Sequence, residues 1–258
     1  TRSSSLDSDR TGQPRRNMSL VLYSGGYFAD NAALNRACLD ATRKSLPRVT
    51  YIPSSSDYGV EDFRDFVAAF EEIRPCTFAY FPIDTPFTGE MRSRALASDV
   101  IFLSGGNTFY FLRNLRKLGL IRDLRHAHAE GKVIAGLSAG AILLTPNIGT
   151  ASFPSFDCDE NFVGLRNFAA LGLAPFEFFP HYSQSERYRR ALAGASRRTK
   201  NPIYAAPDGS GLVVSDGEFR VVGAAHVFHK GHMLSIAKAS RRAPRPTEGS
   251  VDIELSLT

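Results

Sequence analysis

Residues Lys132–Leu144 read KVIAGLSAGAILL. A short apolar run, Val133–Ala135, meets Gly136-Leu137-Ser138-Ala139-Gly140, and Ala-Ile-Leu-Leu follows. The pattern is a strand, a sharp turn and a helix. A G-x-S-x-G spacing puts the serine at the tip of that turn in a strained backbone conformation, where small neighbours let strand and helix approach. Ser138 then also stands at a helix N-terminus, where exposed backbone N–H groups and the helix dipole favour a developing oxyanion. The plainer alternative is a βα turn in which Ser138 is only an N-cap. Serine at this position excludes a cysteine nucleophile.

Outward from this turn, strand and helix patterns alternate. Leu20–Tyr23, Val49–Ile52, Thr77–Phe81, Val100–Leu103 and Val133–Ala135 are short runs rich in β-branched and aromatic residues. Between them lie the amphipathic stretches Asn31–Ser45, Val60–Ile73, Phe109–Leu118 and Ile121–Glu130. Such alternation predicts an α/β three-layer sandwich, a mostly parallel central sheet with helices on both faces. After Pro180 the strands become short. Ile203–Ala206, Gly211–Ser215, Phe219–Val222 and Ala225–Phe228 are split by turn dipeptides such as Asp208-Gly209 and Asp216-Gly217. They are expected as an antiparallel hairpin extension of the same sheet. One α/β domain over 18–239 is the expected organisation. The polar stretch 1–17 is expected to be a disordered leader or an added remnant, and 240–258 a flexible tail.

Composition sets the outer bounds. The chain has 258 residues, 43% hydrophobic and 22% charged, which fits a globular domain with a real core. No apolar run approaches the ~18 residues that cross a bilayer, so no membrane contact is expected. The N-terminal stretch has no apolar segment of signal-peptide type. Three widely spaced cysteines, Cys38, Cys76 and Cys158, argue against a disulfide framework or a zinc site and fit a reducing, cytoplasmic compartment. The net charge of +5 comes from scattered basic residues, which disfavours nucleic acid as a partner.

A second glycine turn, Ser104-Gly105-Gly106-Asn107-Thr108, ends the strand Val100–Leu103. Open α/β sheets place ligands at such carboxyl ends. There Gly106 N–H can join Ala139 N–H as an oxyanion hole, or Asn107 and Thr108 can simply cap the next helix. A serine nucleophile needs a base. His126 and His128 fall in a helical pattern. His226, His229 and His232 alternate without an interleaved carboxylate, so no metal is expected there. His181 follows the apolar run Phe176–Pro180, where a strand emerges into a loop, and is the preferred base. The acid that would orient it lies, on this reading, between Ser138 and His181: Asp157, Asp159, Glu160 or Glu177.

The set SGGNT (104–108), GLSAGA (136–141), LGL (171–173) and PHYSQSERYRR (180–190), with DGSGLVV (208–214) behind it, resembles peptidase family S51, the dipeptidase E and cyanophycinase group. The resemblance spans about residues 18–235. It implies a fold like the class I glutamine amidotransferases and a cofactor-free Ser–His–acid triad acting on small acidic peptides. Carried over, the nucleophile falls on Ser138, the base on His181 and the oxyanion donors on Gly106 and Ala139. The family's spacing, a little over twenty residues before the histidine, implies Asp159 as the acid, with Glu160 in reserve. A preference for Asp-X dipeptides calls for cations, and Arg187 and Arg190 share a helix face just past His181. Asn107, Thr108 and Tyr182 complete the expected substrate-binding set. The expected partner is thus a small peptide, the expected assembly a monomer or homodimer. A cyanophycinase-like hydrolase of β-Asp-Arg units and a non-catalytic binding module are the alternatives.

Overall fold

The computed structural model describes residues 18–57, 59–236 and 241–242. The expected leader and most of the expected tail lie outside the described residues. The central sheet is built from β1 (Ser19–Tyr23), β2 (Arg48–Ile52), β3 (Thr77–Tyr80), β4 (Val100–Leu103) and β5 (Val133–Leu137), all parallel. Between them run α1 (Ala32–Ala41), α2 (Gly59–Glu71), α3 (Gly89–Leu96), α4 (Thr108–Lys117) and α5 (Leu120–Ala129). The order across its parallel part is β3-β2-β4-β5-β1, and antiparallel strands added beyond β1 put β5 and β1 side by side at the centre of the whole sheet.

Apart from the edge strand β3, which is only partly covered, the strands are buried on both faces because alternate side chains feed two separate cores. Leu20, Leu22, Ile101, Leu103 and Ile134 pack with α4 and α5. Val21, Tyr23, Val49, Tyr51, Phe102 and Ala135 face the other way, onto Leu34 and Cys38 of α1 and Phe66 and Phe70 of α2. This is the expected three-layer sandwich. Helix α3 was not anticipated, because its stretch GEMRSRAL is mostly polar. The Thr88 side chain starts it by accepting from Met91 N–H.

The C-terminal strands divide between two sheets. β8 (Gly211–Ser215) pairs antiparallel with β1, and β9 (Glu218–Val222) with β8, extending the central sheet as expected. β12 (Arg241–Arg242) continues it, so this described part of the tail is a paired strand. β6 (Glu177–Phe179), β7 (Ile203–Ala205), β10 (Ala225–His229) and β11 (His232–Ile236) instead form a second, four-stranded sheet. It carries α7 (Glu186–Ser196) over a small core of its own, with Phe179, Tyr182, Leu192 and Phe228. The expectation that every late strand joins one sheet is therefore corrected. Among the described residues no helix is long and apolar enough to cross a membrane.

Candidate active site

Ser138 joins β5 to the short helix α6 (Ala139–Leu143) with φ 52° and ψ −110°. That left-handed φ is unusual for a residue with a side chain and stores strain at the tip of the turn. The flanking glycines make the turn possible. A Cβ on Gly136 would come within 3.0 Å of the Gly140 backbone, and one on Gly140 within 3.0 Å of the Leu103 carbonyl. Ser138 N–H donates to Tyr23 O at 3.0 Å and Gly140 N–H to Ser104 O at 3.0 Å. The elbow is thus pinned to the ends of both neighbouring strands, β1 and β4.

His181 arrives from the other sheet. It follows β6, also at positive φ (57°), and its N–H donates to Ser24 Oγ at 2.7 Å. Ser24 Oγ in turn donates to Ala206 O at 2.7 Å. This buried hydroxyl, at the carboxyl end of β1, fastens the β6 and β7 ends of the second sheet to the first. His181 Nε2 then stands 2.8 Å from Ser138 Oγ. On the far side of the ring, Nδ1 stands 2.8 Å from Asp208 Oδ1. Asp208 belongs to the turn between β7 and β8, whose Gly209 N–H donates to Gly25 O at 3.1 Å. The His181–Asp208 contact is half exposed, at 46% and 55% for the two side chains, so its worth to stability is at most about 1 kcal/mol. Its geometry bears on chemistry more than on folding.

The expected acids stand elsewhere. Asp159 Oδ2 accepts from Thr108 N–H at 2.7 Å, serving the first turn of α4 and not His181. Glu160 contributes its backbone carbonyl, which accepts from Asn107 Nδ2 at 2.9 Å. Asp157 Oδ2 accepts from Tyr188 Oη–H at 2.5 Å. Burial and this carboxylate push the Tyr188 phenol up to about 12, so it remains a donor at neutral pH. Glu177 is buried, with Oε1 accepting from Asn147 Nδ2 and Asn201 Nδ2. The carboxylate that meets His181 departs from the expected spacing, because it follows the histidine in the chain. The Asp208-Gly209 dipeptide was visible as a turn, and its acidic member was the overlooked signal. Gly25 was overlooked too. A Cβ there would come within 3.0 Å of both Asp208 Oδ1 and His181 Nδ1.

The expected substrate residues are mostly occupied. Arg187 stacks its guanidinium 3.3 Å from the Phe156 ring centroid. Arg190 Nε donates to Glu186 Oε1 at 2.8 Å on the exposed face of α7. Tyr182 is buried against Tyr188, His226 and Phe228. Asn107 caps α4, its Oδ1 accepting from Tyr110 N–H at 2.9 Å. Thr108 alone of this set lines the cavity beside Ser138 and His181, which measures about 120 Å³ and also holds Thr150, Asp157 and Asp159. No lysine or arginine lines it. Gly106, at φ 125°, leaves no room for a side chain against Ser54. A Cβ on its neighbour Gly105 would lie 3.7 Å from Ser138 Cβ, which brings this loop against the nucleophile elbow. A larger cleft of about 390 Å³ between α5 and residues 167–170 contains none of these groups.

The family model for peptidase family S51 matches residues 20–222. The uncharacterized peptidase Lmo0363 of Listeria monocytogenes is 34% identical over 140 residues, 53% of this chain and 66% of that protein. The uncharacterized peptidase YgaJ of Bacillus subtilis is 28% identical over 209 residues, 79% of this chain and 86% of that protein. The match thus spans just under two thirds of the Listeria relative. A Listeria monocytogenes crystal structure described as of peptidase E type superposes with a TM-score of 0.64 at 26% identity, over 80% of this chain and 98% of that one. The match runs from β1 to β9 and takes in the elbow, His181 and Asp208: the chain belongs to peptidase family S51.

Proposed function

We propose that the protein is a serine peptidase of small peptides that works through Ser138, His181 and Asp208. The observation that carries this is the continuous chain Ser138 Oγ–His181 Nε2 and His181 Nδ1–Asp208 Oδ1, each link 2.8 Å, at the carboxyl ends of the parallel strands. With Nδ1–H donating to Asp208, Nε2 is left to accept the Ser138 proton as Oγ attacks the scissile carbonyl. The tetrahedral oxyanion takes the N–H groups of Gly106 and Ala139, neither of which has a backbone acceptor among the described turn and loop bonds. Collapse of that intermediate breaks the C–N bond, and His181 returns the proton to the leaving amine. Water, deprotonated by the same imidazole, then releases the acyl group from Ser138.

The small cavity suits a short peptide, and the three free cysteines suit a reducing compartment. Asp-X selectivity through Arg187 and Arg190 is not supported, since both guanidinium groups are engaged on α7 and its flank. A second reading, hydrolysis of β-Asp-Arg units, gains from Asp157 and Asp159 in the cavity wall. The test is labelling by a fluorophosphonate, with turnover of Asp-X, Ala-X and β-Asp-Arg peptides. Labelling is expected at Ser138, and Ser138→Ala is expected to lower kcat by about 10⁴ or more. Normal turnover by that variant refutes the assignment.

A further inference from the structure

The cavity beside Ser138 has two hydroxyls that the fold leaves unused. Thr108 Oγ1 and Thr150 Oγ1 are buried and have no hydrogen-bond partner among the described residues. Their residues are 0% and 3% exposed, and both line the cavity that holds Ser138 and His181. A buried hydroxyl without a partner is destabilising, so a site that keeps two of them beside a nucleophile is built for a polar guest. Asp159 stands with them. Its N–H donates to Ala151 O at 2.9 Å, which sets it next to Thr150, and its Oδ2 accepts from Thr108 N–H at 2.7 Å. That leaves Asp159 Oδ1 for another donor. Asp157 adds a second carboxylate to the wall, and among the described residues no lysine or arginine lines it. Ile142, Ala151 and Phe179 supply the apolar remainder.

Hydroxyls accept as well as donate, and a carboxylate only accepts. The wall is therefore rich in acceptors and negative. A substrate carboxylate entering it would meet two like charges and no lysine or arginine in the cavity lining, whereas an ammonium group has three N–H donors for these oxygens. We propose that this cavity is the subsite for the acyl-side residue of the substrate and that it reads a positively charged amino group there, with Asp159 and Thr150 as specificity-determining residues. The inference rests on the serine-peptidase reading above. The amino group has two sources, the free N-terminus of a short peptide or an amine on the first side chain.

The experiment measures inactivation rates with diphenyl phosphonates that place a tetrahedral phosphorus at Ser138. Oγ bonds to phosphorus, phenoxide leaves, and the Oγ proton passes to His181. The probes are the alanine analogue with a free amine, its N-acetyl form, the N-acetyl-lysine analogue and the N-acetyl-aspartate analogue. The free amine is expected to react at least about tenfold faster than its N-acetyl form, the least that one charge-assisted hydrogen bond gives. Asp159→Asn and Thr150→Val are each expected to shrink that ratio, and Thr150→Ser to keep it. Recovery of the rate by the N-acetyl-lysine analogue assigns the amine to the side chain; a slow reaction assigns it to the N-terminus. Equal rates for the free and acetylated alanine analogues overturn the proposal. So does an N-acetyl-aspartate analogue that is fastest, or a ratio unchanged in both variants. Failure of a plain fluorophosphonate to label Ser138 sinks the serine-peptidase reading itself, whereas labelling without amine preference sinks only the subsite.

Discussion

Gly25→Ala separates catalysis from folding at a single atom. Gly25 is buried behind the His181–Asp208 pair, and its φ lies outside the left-handed range, so alanine fits its backbone. The added Cβ would come within 3.0 Å of Asp208 Oδ1, His181 Nδ1 and His181 Cε1, closer than such carbons ordinarily come. The ends of two half-exposed side chains must yield, by about 1 Å or more to reach ordinary contact. Yielding costs little stability, because an exposed contact of this kind is worth at most about 1 kcal/mol even when both groups are charged. It costs far more in rate. A displacement near 1 Å in the reacting groups lowers rates by about 10², and complete loss of the acid–imidazole bond by about 10⁴. Gly25→Ala is therefore expected to lower kcat/KM by a factor between those limits while Tm falls by no more than a few degrees. Gly26→Ala is the contrasting control. Its φ of 86° strains alanine, yet a Cβ there would keep 3.4 Å from its nearest neighbour. It is expected to lower Tm by a comparable or greater amount while activity persists. Paired thermal melts and kcat/KM for one dipeptide series decide the matter. Gly25→Ala activity within about threefold of wild type, at unchanged Tm, refutes the reasoning.

Asp208→Asn is expected to leave the fold intact and lower kcat by about 10⁴, because the amide no longer fixes the imidazole tautomer or balances its charge. Under the same assay Asp159→Asn must fall well short of that loss; equal losses would return Asp159 to the triad. Glu177→Gln tests the second sheet. Burial raises the Glu177 pKa above its usual value despite hydrogen bonds from Asn201, Asn147 and Thr145. A raised folded-state pKa means the carboxyl's contribution is fully present below about 4.5 and is lost as pH rises through the folded value. The Gln variant should therefore gain on wild type in Tm as pH rises from 4 towards 8, and a pH-independent difference in melting curves would contradict the sign.

Much of this molecule is legible locally. Each parallel strand and the helices α1, α2, α4 and α5 follow from hydrophobic period, because their buried faces repeat along the chain itself. The Ser138 elbow is legible for the same reason: its glycines, serine and flanking apolar runs all lie within one strand–turn–helix unit. His181 needed only the observation that a strand ends before it. The carboxylate that meets His181 is a different kind of observation. Asp208 lies 27 residues beyond His181 and meets it only because Ser24 and Ala206 bind the two sheets together at that end. In the sequence it reads as half of a turn dipeptide, and the turn uses that dipeptide fully whether or not an imidazole waits beside it. The split of the late strands between two sheets was equally hidden, since backbone ladder bonds are the same along any edge. Gly25 and Thr150 carry no sequence signal at all. One matters for the side chain it lacks and the other for the partner its hydroxyl lacks, and both properties exist only once distant segments close around them.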